Sequence, residues 1–480
     1  MKKWLLLAVV AMFATFAFTG CACDEVTDVQ PPAGDVTDPG DVTTDPGDVT
    51  DPADPADPPV AEDVYVPEGV TRINLWSFTD EIPNMILRYK EMNPEFTERF
   101  LVVPTVVATD GGGYQIALDA ALAGGGADAP DLFAAESAFV VRYTQGDMAH
   151  HAMTFSSLGV DNLMGRISDA DIAGYTVDLG SRDGEVVALA FQHTGSAVIY
   201  RRSLAEQVWG TDDPDYVRTR IGPGWDRFFE AAAEMNAAGF AMVSGAGDVW
   251  QAVRNTGGPW IVNDQLDIHP DRMAFFDYAS MLYRNNWMND ASSWSGAWFA
   301  DMAGEGERPV FAFLGPAWLI NYVMAGSSGE TYGDWAIAVP PVGFSWGGTW
   351  VIPANNMNPE ARDGVRELIE WITLDTTNTG LQYMWANGTL FDDNDTKDAV
   401  ASGLIMAGAD GTIPFLGGQD MFDVLIPAGA YADGSLFTQH DELINAQFED
   451  RAMDYARGDM TREEALDSFR GWVLETLDIS

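Results

Sequence analysis

The chain has 480 residues, 73 Asp and Glu against 25 Lys and Arg, a formal net charge of −48, and two cysteines. With 47% hydrophobic and 20% charged residues it can bury more than one core, which excludes global disorder and a small disulfide-stapled fold. The charge excludes a nucleic-acid binder and an electrostatic partner of anionic lipid, since both need a basic face.

Residues 1–20 read as an export signal. Lys2 and Lys3 open it, and Trp4–Phe18 is an apolar run, short of the roughly 20 residues that a membrane-spanning helix needs. Thr19-Gly20-Cys21 resembles a bacterial lipoprotein cleavage site, so Cys21 is the expected lipidated residue. Residues 21–66 form an acidic tether of Asp, Pro, Gly and Thr. Gly34-Asp35-Val36-Thr37-Asp38-Pro39 returns as Gly47-Asp48-Val49-Thr50-Asp51-Pro52, and residues 21–59 carry 11 acids and no base. Proline and charge repulsion keep such a segment extended. The Gly and Glu of an EF-hand calcium loop are missing.

The body alternates strand and helix patterns. Arg72–Phe78 is a β-rich run, and Met85, Ile86, Tyr89 and Met92 follow at helical spacing. Leu101–Val107 is a second strand, Gln115–Leu122 a helix, and Asp131–Phe133 a short strand. Val186–Ala190 and Ala197–Tyr200 are strands, and Trp225–Met235 is a helix with Phe228, Phe229, Ala232 and Met235 on one face. Val310–Leu314, Trp335–Val339 and Thr349–Ile352 are strands. Asn358-Pro359 then opens a helix that turns Val365, Leu368, Ile369 and Ile372 inward. A capping box, Thr461-Arg462-Glu463-Glu464, starts the last helix. The alternation predicts an α/β fold with a largely parallel sheet, and the length predicts two lobes.

Tryptophan carries the chemical signal. Of 16, Trp371 and Trp472 lie on apolar helix faces, whereas Trp76, Trp250, Trp260, Trp318, Trp346 and Trp350 stand at strand ends or in Gly/Pro-rich loops. An exposed indole suits the C–H face of a pyranose, and neighbouring polar groups then take the hydroxyls.

Several segments resemble the extracytoplasmic solute-binding proteins (family 1) of carbohydrate ABC importers, the maltose and multiple-sugar type. They are Ile73-Asn74-Leu75-Trp76 with Thr79-Asp80-Glu81, Ala129-Pro130-Asp131-Leu132-Phe133, and Ala197-Val198-Ile199-Tyr200 with Arg201-Arg202-Ser203-Leu204. Gly224-Trp225-Asp226-Arg227-Phe228, Gly315-Pro316-Ala317-Trp318, and Gly347-Gly348 before Asn358-Pro359-Glu360-Ala361 continue the pattern. Gly458-Asp459-Met460-Thr461-Arg462-Glu463-Glu464-Ala465 completes it. Arg201-Arg202 stands where the family has Asn-Lys, and the loop Thr109–Gly113 has no counterpart.

The resemblance implies an α/β, two-lobe periplasmic-binding-protein fold with three hinge crossovers, near 194–199, 346–350 and 395–415. One lobe would hold 67–195 plus 348–400, the other 196–347 plus 401–480. It implies ligand contacts from Trp76, Asp80, Glu81, Glu136, His193, Thr194, Trp250, Trp318, Trp346 and Trp350. It further implies a monomeric, lipid-anchored, extracytoplasmic receptor that hands a carbohydrate to membrane permease subunits, without cofactor, metal or catalysis.

Two rival readings remain. A secreted glycoside hydrolase or lyase would use paired carboxylates beside Trp, and so many acids make such pairs common by chance. A receptor for a non-sugar anion would need an Arg cluster in the cleft loops, which the sequence does not display. The five His have no metal-ligand spacing, and no Walker-type phosphate loop occurs. The tether does not account for the acidity, because residues 60–480 keep 62 acids against 23 bases and only Lys90 and Lys397 as lysines. This composition suits a saline exterior, where ions screen self-repulsion. Chemical denaturation of residues 60–480 is expected to show stability rising from about 0.05 M to about 2 M salt, and equal stability at both ends would refute the saline reading.

Overall fold

The computed structural model describes residues 64–109, 112–255, 257–391 and 396–477. The export signal, Cys21 and nearly all of the tether lie outside the described residues. The body belongs to one unit, Ala61–Ser480. Strand β1 (Thr71–Ser77) buries five consecutive residues from Ile73 on, as a strand covered on both faces does. Helix α1 (Glu81–Met92) follows and buries Ile82, Met85, Ile86 and Tyr89, one stripe at helical spacing. β2 (Phe100–Val106), helix α2 (Gly113–Gly124) and β3 (Leu132–Glu136) continue the alternation, and the two-residue β4 (Leu189–Ala190) ends this stretch.

Four strands then build a second sheet: β5 (Ala197–Arg201), β6 (Ala241–Val243), β7 (Val310–Gly315) and β8 (Trp335–Ala338). Helices α3 (Ala246–Val253) and α4 (Pro270–Arg284) lie between β6 and β7. The chain returns with β9 (Thr349–Pro353) and helix α5 (Arg362–Thr373), which buries Val365, Leu368, Ile369 and Ile372. Helices α6 (Asp441–Arg457) and α7 (Arg462–Leu477) close the chain. The capping box forms: Thr461 N–H donates to Glu464 Oε2 at 2.9 Å, and Glu464 N–H donates to Thr461 Oγ1 at 3.3 Å.

The strand orders are β2-β1-β3-β9-β4 and β8-β5-β7-β6, so the fold is the α/β, two-lobe periplasmic-binding-protein architecture with two separate sheets. The expectation of largely parallel sheets needs correction. β1 runs parallel to β2 and β3, and β7 parallel to β6, but β9 is antiparallel to β3 and β4, and β5 is antiparallel to β7 and β8. β5 and β9 are the strands that arrive directly from the other sheet, so each enters against the direction of its neighbours.

The three passages between the sheets lie side by side. Residues 191–196 form the middle line. Ala401 N–H donates to Phe191 O at 2.9 Å and His193 N–H to Ala399 O at 2.8 Å on one side. Trp346 N–H donates to Thr194 O at 3.1 Å and Ser196 N–H to Phe344 O at 3.1 Å on the other. The hinge is thus a hydrogen-bonded ribbon of three lines. Along the third line the chain stays with first-lobe residues at Ser402, whose Oγ donates to Ala170 O at 2.7 Å. It has joined the second sheet at Gln419, whose Nε2 donates to Ile337 O at 2.8 Å.

Asp131 explains the Ala-Pro-Asp segment. Its side chain is 3% exposed. One carboxylate oxygen accepts from Asn74 N–H in β1 at 2.8 Å, and the other accepts from Asn358 N–H beyond β9 at 2.7 Å. One side chain therefore ties three sequence-distant segments of the first lobe. Asp131→Ala would strand one buried and one partly buried N–H group and is expected to cost roughly 1–3 kcal/mol, read by urea unfolding.

Candidate functional site

Side chains from the loops beyond β1, β3 and β7 and from helices α2, α3 and α6 meet between the lobes beside the hinge ribbon, and this meeting place is the candidate cleft. From the first lobe come Asp80, just before α1, Gln115 on α2, and Glu136 at the end of β3. From the second come Trp294, Trp318, Arg254 at the end of α3, and Glu442 and Glu449 on α6. Hydrogen bonds cross directly between the lobes. Tyr322 O–H donates to Asp80 Oδ1 at 3.3 Å, the Gln115 amide donates to the Glu442 carboxylate, and Asp147 N–H donates to Gln439 Oε1 at 2.8 Å. The lobes are therefore described in contact.

Trp318 follows β7 and begins the six-residue π-helix Leu319–Met324. Its indole N–H donates to Trp346 O at 3.1 Å, which fixes the ring on the hinge. Glycine is required opposite it: Gly347 has φ +78°, and a Cβ there would lie 2.7 Å from the Trp318 indole nitrogen. Trp346 packs edge-on against Trp318, centroids 4.7 Å apart. Trp294 lies parallel to Trp318 to within 5°, centroids 6.2 Å apart. It is 45% exposed and has φ +67°. A left-handed backbone on a bulky residue is an outlier, and such strain gathers at ligand sites.

The other expected contacts divide clearly. Trp318 and Trp346 come together on the hinge, Asp80 meets Tyr322 of the other lobe, and Glu136 faces Arg254. Glu136 accepts from Ser137 O–H at 2.7 Å and from Ala138 N–H at 2.8 Å, which locks its carboxylate at the strand end. Glu81 is partly buried beside Asp80, and burial together with that neighbour pushes its carboxyl up to about 8. His193 lies on the hinge ribbon against Gly429, and burial lowers it to about 4. Thr194 is buried, its hydroxyl 3.0 Å from the Tyr175 hydroxyl.

Three tryptophans expected in the cleft are committed to the cores instead. Trp76 is 4% exposed and its indole N–H donates to Asp128 O at 3.3 Å. Trp250 stacks on Phe448 at 5.3 Å and meets Phe275 at 4.6 Å. Trp350 is fully buried, with its N–H donating to Thr176 O at 2.8 Å. Each indole has its faces covered and, for two of them, its one donor used, because a Trp on a central strand or amphipathic helix is worth more as buried area.

Sequence reasoning missed Trp294, Arg254, Gln115, Glu442 and Glu449. Trp294 sits in the polar stretch Asn289-Asp290-Ala291-Ser292-Ser293, where an aromatic residue has no packing reason. Arg254 is the only Lys or Arg between Arg227 and Arg272, a signal that was available. Gly247, Gln251 and Arg254 share one face of α3 by their spacing. A Cβ on Gly247 would meet Glu449 Oε1 at 2.9 Å, which places that carboxyl against the first turn of α3. Burial raises Glu449 to about 7, and burial together with Glu136 raises Glu442 to about 7. Among the described residues no three His, Cys, Asp or Glu are placed to hold a metal ion, and no helix is long and apolar enough to cross a membrane.

Residues 91–385 match the family model described as bacterial extracellular solute-binding protein. The chain belongs to that family. A solute-binding protein of this family acts outside the cytoplasm, and its cleft between two lobes is where a solute fits. Solved structures with the same fold include an extracellular solute-binding protein of family 1, at 17% identity and TM-score 0.64, covering 83% of this chain and 97% of that one. Another is the galacto-N-biose/lacto-N-biose I-binding protein of the ABC transporter of Bifidobacterium longum with lacto-N-biose, at 15% identity and TM-score 0.65, covering 86% and 98%. A third is the ABC transporter-associated binding protein of B. animalis subsp. lactis with β-1,6-galactobiose, at 17% identity and TM-score 0.60, covering 85% and 97%. No curated protein matches the chain.

The raised Glu442 carboxyl gives a signed expectation. An acid whose folded pKa lies above its unfolded value favours the fold when protonated and loses that contribution as pH rises from about 4.5 towards about 7. Glu442→Gln keeps the contact with Gln115 but cannot ionise. In denaturation measured at about pH 5.5 and about pH 8, the variant is expected to lose less stability on going alkaline than the parent does, and parallel losses would remove Glu442 as a source.

Proposed function

We propose that this solute-binding protein is the extracytoplasmic receptor of an ABC importer for a saccharide, anchored through a lipid on Cys21. The observation that carries the reading is the pair of parallel indoles, Trp294 and Trp318, set beside Trp346 on the hinge. Stacked aromatic faces take the apolar faces of pyranose rings, and the carboxylates and amides around them accept and donate hydrogen bonds to hydroxyls. The disaccharides held by the relatives of the same fold support the same class of ligand.

Because Trp318 also rests on Gly347, a sugar seated on it touches the hinge directly. Binding then favours the closed arrangement by its difference in affinity for the two states, and no chemistry on the sugar is required. The closed receptor would present its ligand to the permease, and a separate ATPase would supply the work.

A thermal-shift screen against mono- and oligosaccharides tests the reading, since a ligand that binds only the folded state raises the melting temperature. A saccharide should stabilise the protein with no product released. Trp318→Ala is expected to weaken that saccharide by about 1 kcal/mol or more in calorimetry. Release of product from an oligosaccharide would establish a carbohydrate-active enzyme instead, and unchanged affinity in Trp318→Ala would remove the platform.

A further inference from the structure

Arginines in this chain find partners. Among the described residues, nineteen of the 21 arginine side chains reach a carboxylate or a carbonyl oxygen. The two exceptions are Arg218, which is exposed, and Arg254, which is partly buried in the cleft. Arg254 Nε is shielded from solvent and has no hydrogen-bond partner. Its guanidinium carbon stands over the Trp346 ring, 5.8 Å from the centroid. Four carboxyls face it, Glu136 from the first lobe and Asp441, Glu442 and Glu449 from the second, yet none of the four forms an ion pair with it. In a chain with a net charge of −48, a buried guanidinium nitrogen without an acceptor stands out.

The kind of acceptor follows from charge and shape. A guanidinium withdrawn from water without hydrogen bonds is unfavourable, and its planar fork fits the two oxygens of a carboxylate. A hydroxyl would use one N–H and leave the charge uncompensated. A cationic ligand would be repelled by it. At about pH 6 the three second-lobe carboxyls do not compensate it fully either. Burial pushes Asp441 up to about 6, and Glu442 and Glu449 to about 7, so at that pH much of this trio carries protons. Protonated carboxyls become O–H donors to an incoming anion.

We infer that the solute is an acidic saccharide, a uronate or an oligosaccharide containing one, whose carboxylate sits on Arg254 while its ring lies on Trp318 and Trp294. This inference rests on the saccharide reading above and names the class within it. Gln115 and Gln251 add acceptors for the hydroxyls of the same ligand: both side chains are more than nine-tenths buried, and each amide oxygen has no partner.

Calorimetry on the full chain with matched pairs tests it: glucuronate against glucose, galacturonate against galactose, and digalacturonate against galactobiose. At about pH 6 the acidic member of at least one pair should bind about tenfold tighter or more, the scale of one charge-assisted contact. Arg254→Gln should remove that preference, weakening the acidic member about tenfold more than the neutral one, while Trp318→Ala should weaken both members. The preference should narrow from about pH 6 to about pH 8, as Glu442, facing Glu136 and Arg254, and Glu449, facing Arg254, Asp248 and Asp450, lose their protons. If neutral members bind the parent protein as tightly as acidic ones, the inference is overturned and the saccharide reading stands. An equal loss of both members in Arg254→Gln overturns it as well. If no member of any pair binds, both readings fall together.

Discussion

Everything at the cleft depends on how the chain passes between its two sheets. Three crossing lines pair with one another at 191–196, 344–346 and 399–401, so the passage is a backbone ladder. The ladder leaves little room for side chains. A Cβ on Gly195 would lie 2.4 Å from both Gly429 N and Leu425 O, and Gly348 has φ +108°. Only glycine meets both demands. The same narrow passage supports Trp318, whose indole N–H is held by Trp346 O on the 344–346 crossing. On the proposed reading, binding surface and hinge are built from the same atoms. A ligand on the indole need not send a signal across the protein to influence closure.

Much of this architecture could be read in the sequence, and the reasons are physical. Buried strands such as Ile73–Ser77 and Thr349–Pro353 are apolar runs bounded by turn residues, and α1 and α5 show their inward stripes by spacing alone. The strand directions were not legible, because a two-lobe chain that re-enters a sheet does so against its neighbours, and no local pattern records that. The tryptophans were legible as a group and not one by one. Trp250 and Trp318 both follow glycine-rich loops, yet one ring enters the Phe275/Phe448 core and the other stays at the cleft. The difference lies in what packs opposite, on segments distant in sequence. Arg254 could have been noticed as the one base in a long acidic stretch, but its lack of a partner is a tertiary fact.

The acidity divides into two populations. On the outside, arginines pair with carboxylates, as in Arg99 with Glu367 at 2.8 Å and Arg457 with Asp290 at 2.9 Å. Exposed pairs of this kind contribute little individually, and most of the acidic surplus faces solvent, where salt governs its repulsion. Around Arg254 burial replaces solvent, and the same residue type behaves as a reservoir of protons. The surface charge thus bears on the protein's surroundings, and the cleft charge bears on its ligand.

Trp294 carries an implication for how such a receptor diversifies. Its left-handed backbone costs the fold something that glycine or asparagine would not. A single replacement by either would relax the loop and erase the indole together, so drift alone pushes this position away from tryptophan. Specificity at this end of the cleft can be discarded in one step without harm to folding, and it must be held in place by continued demand for the ligand. Receptors descended from a common ancestor would then differ first here, in a loop under tension, while the ladder of crossings stays as it is.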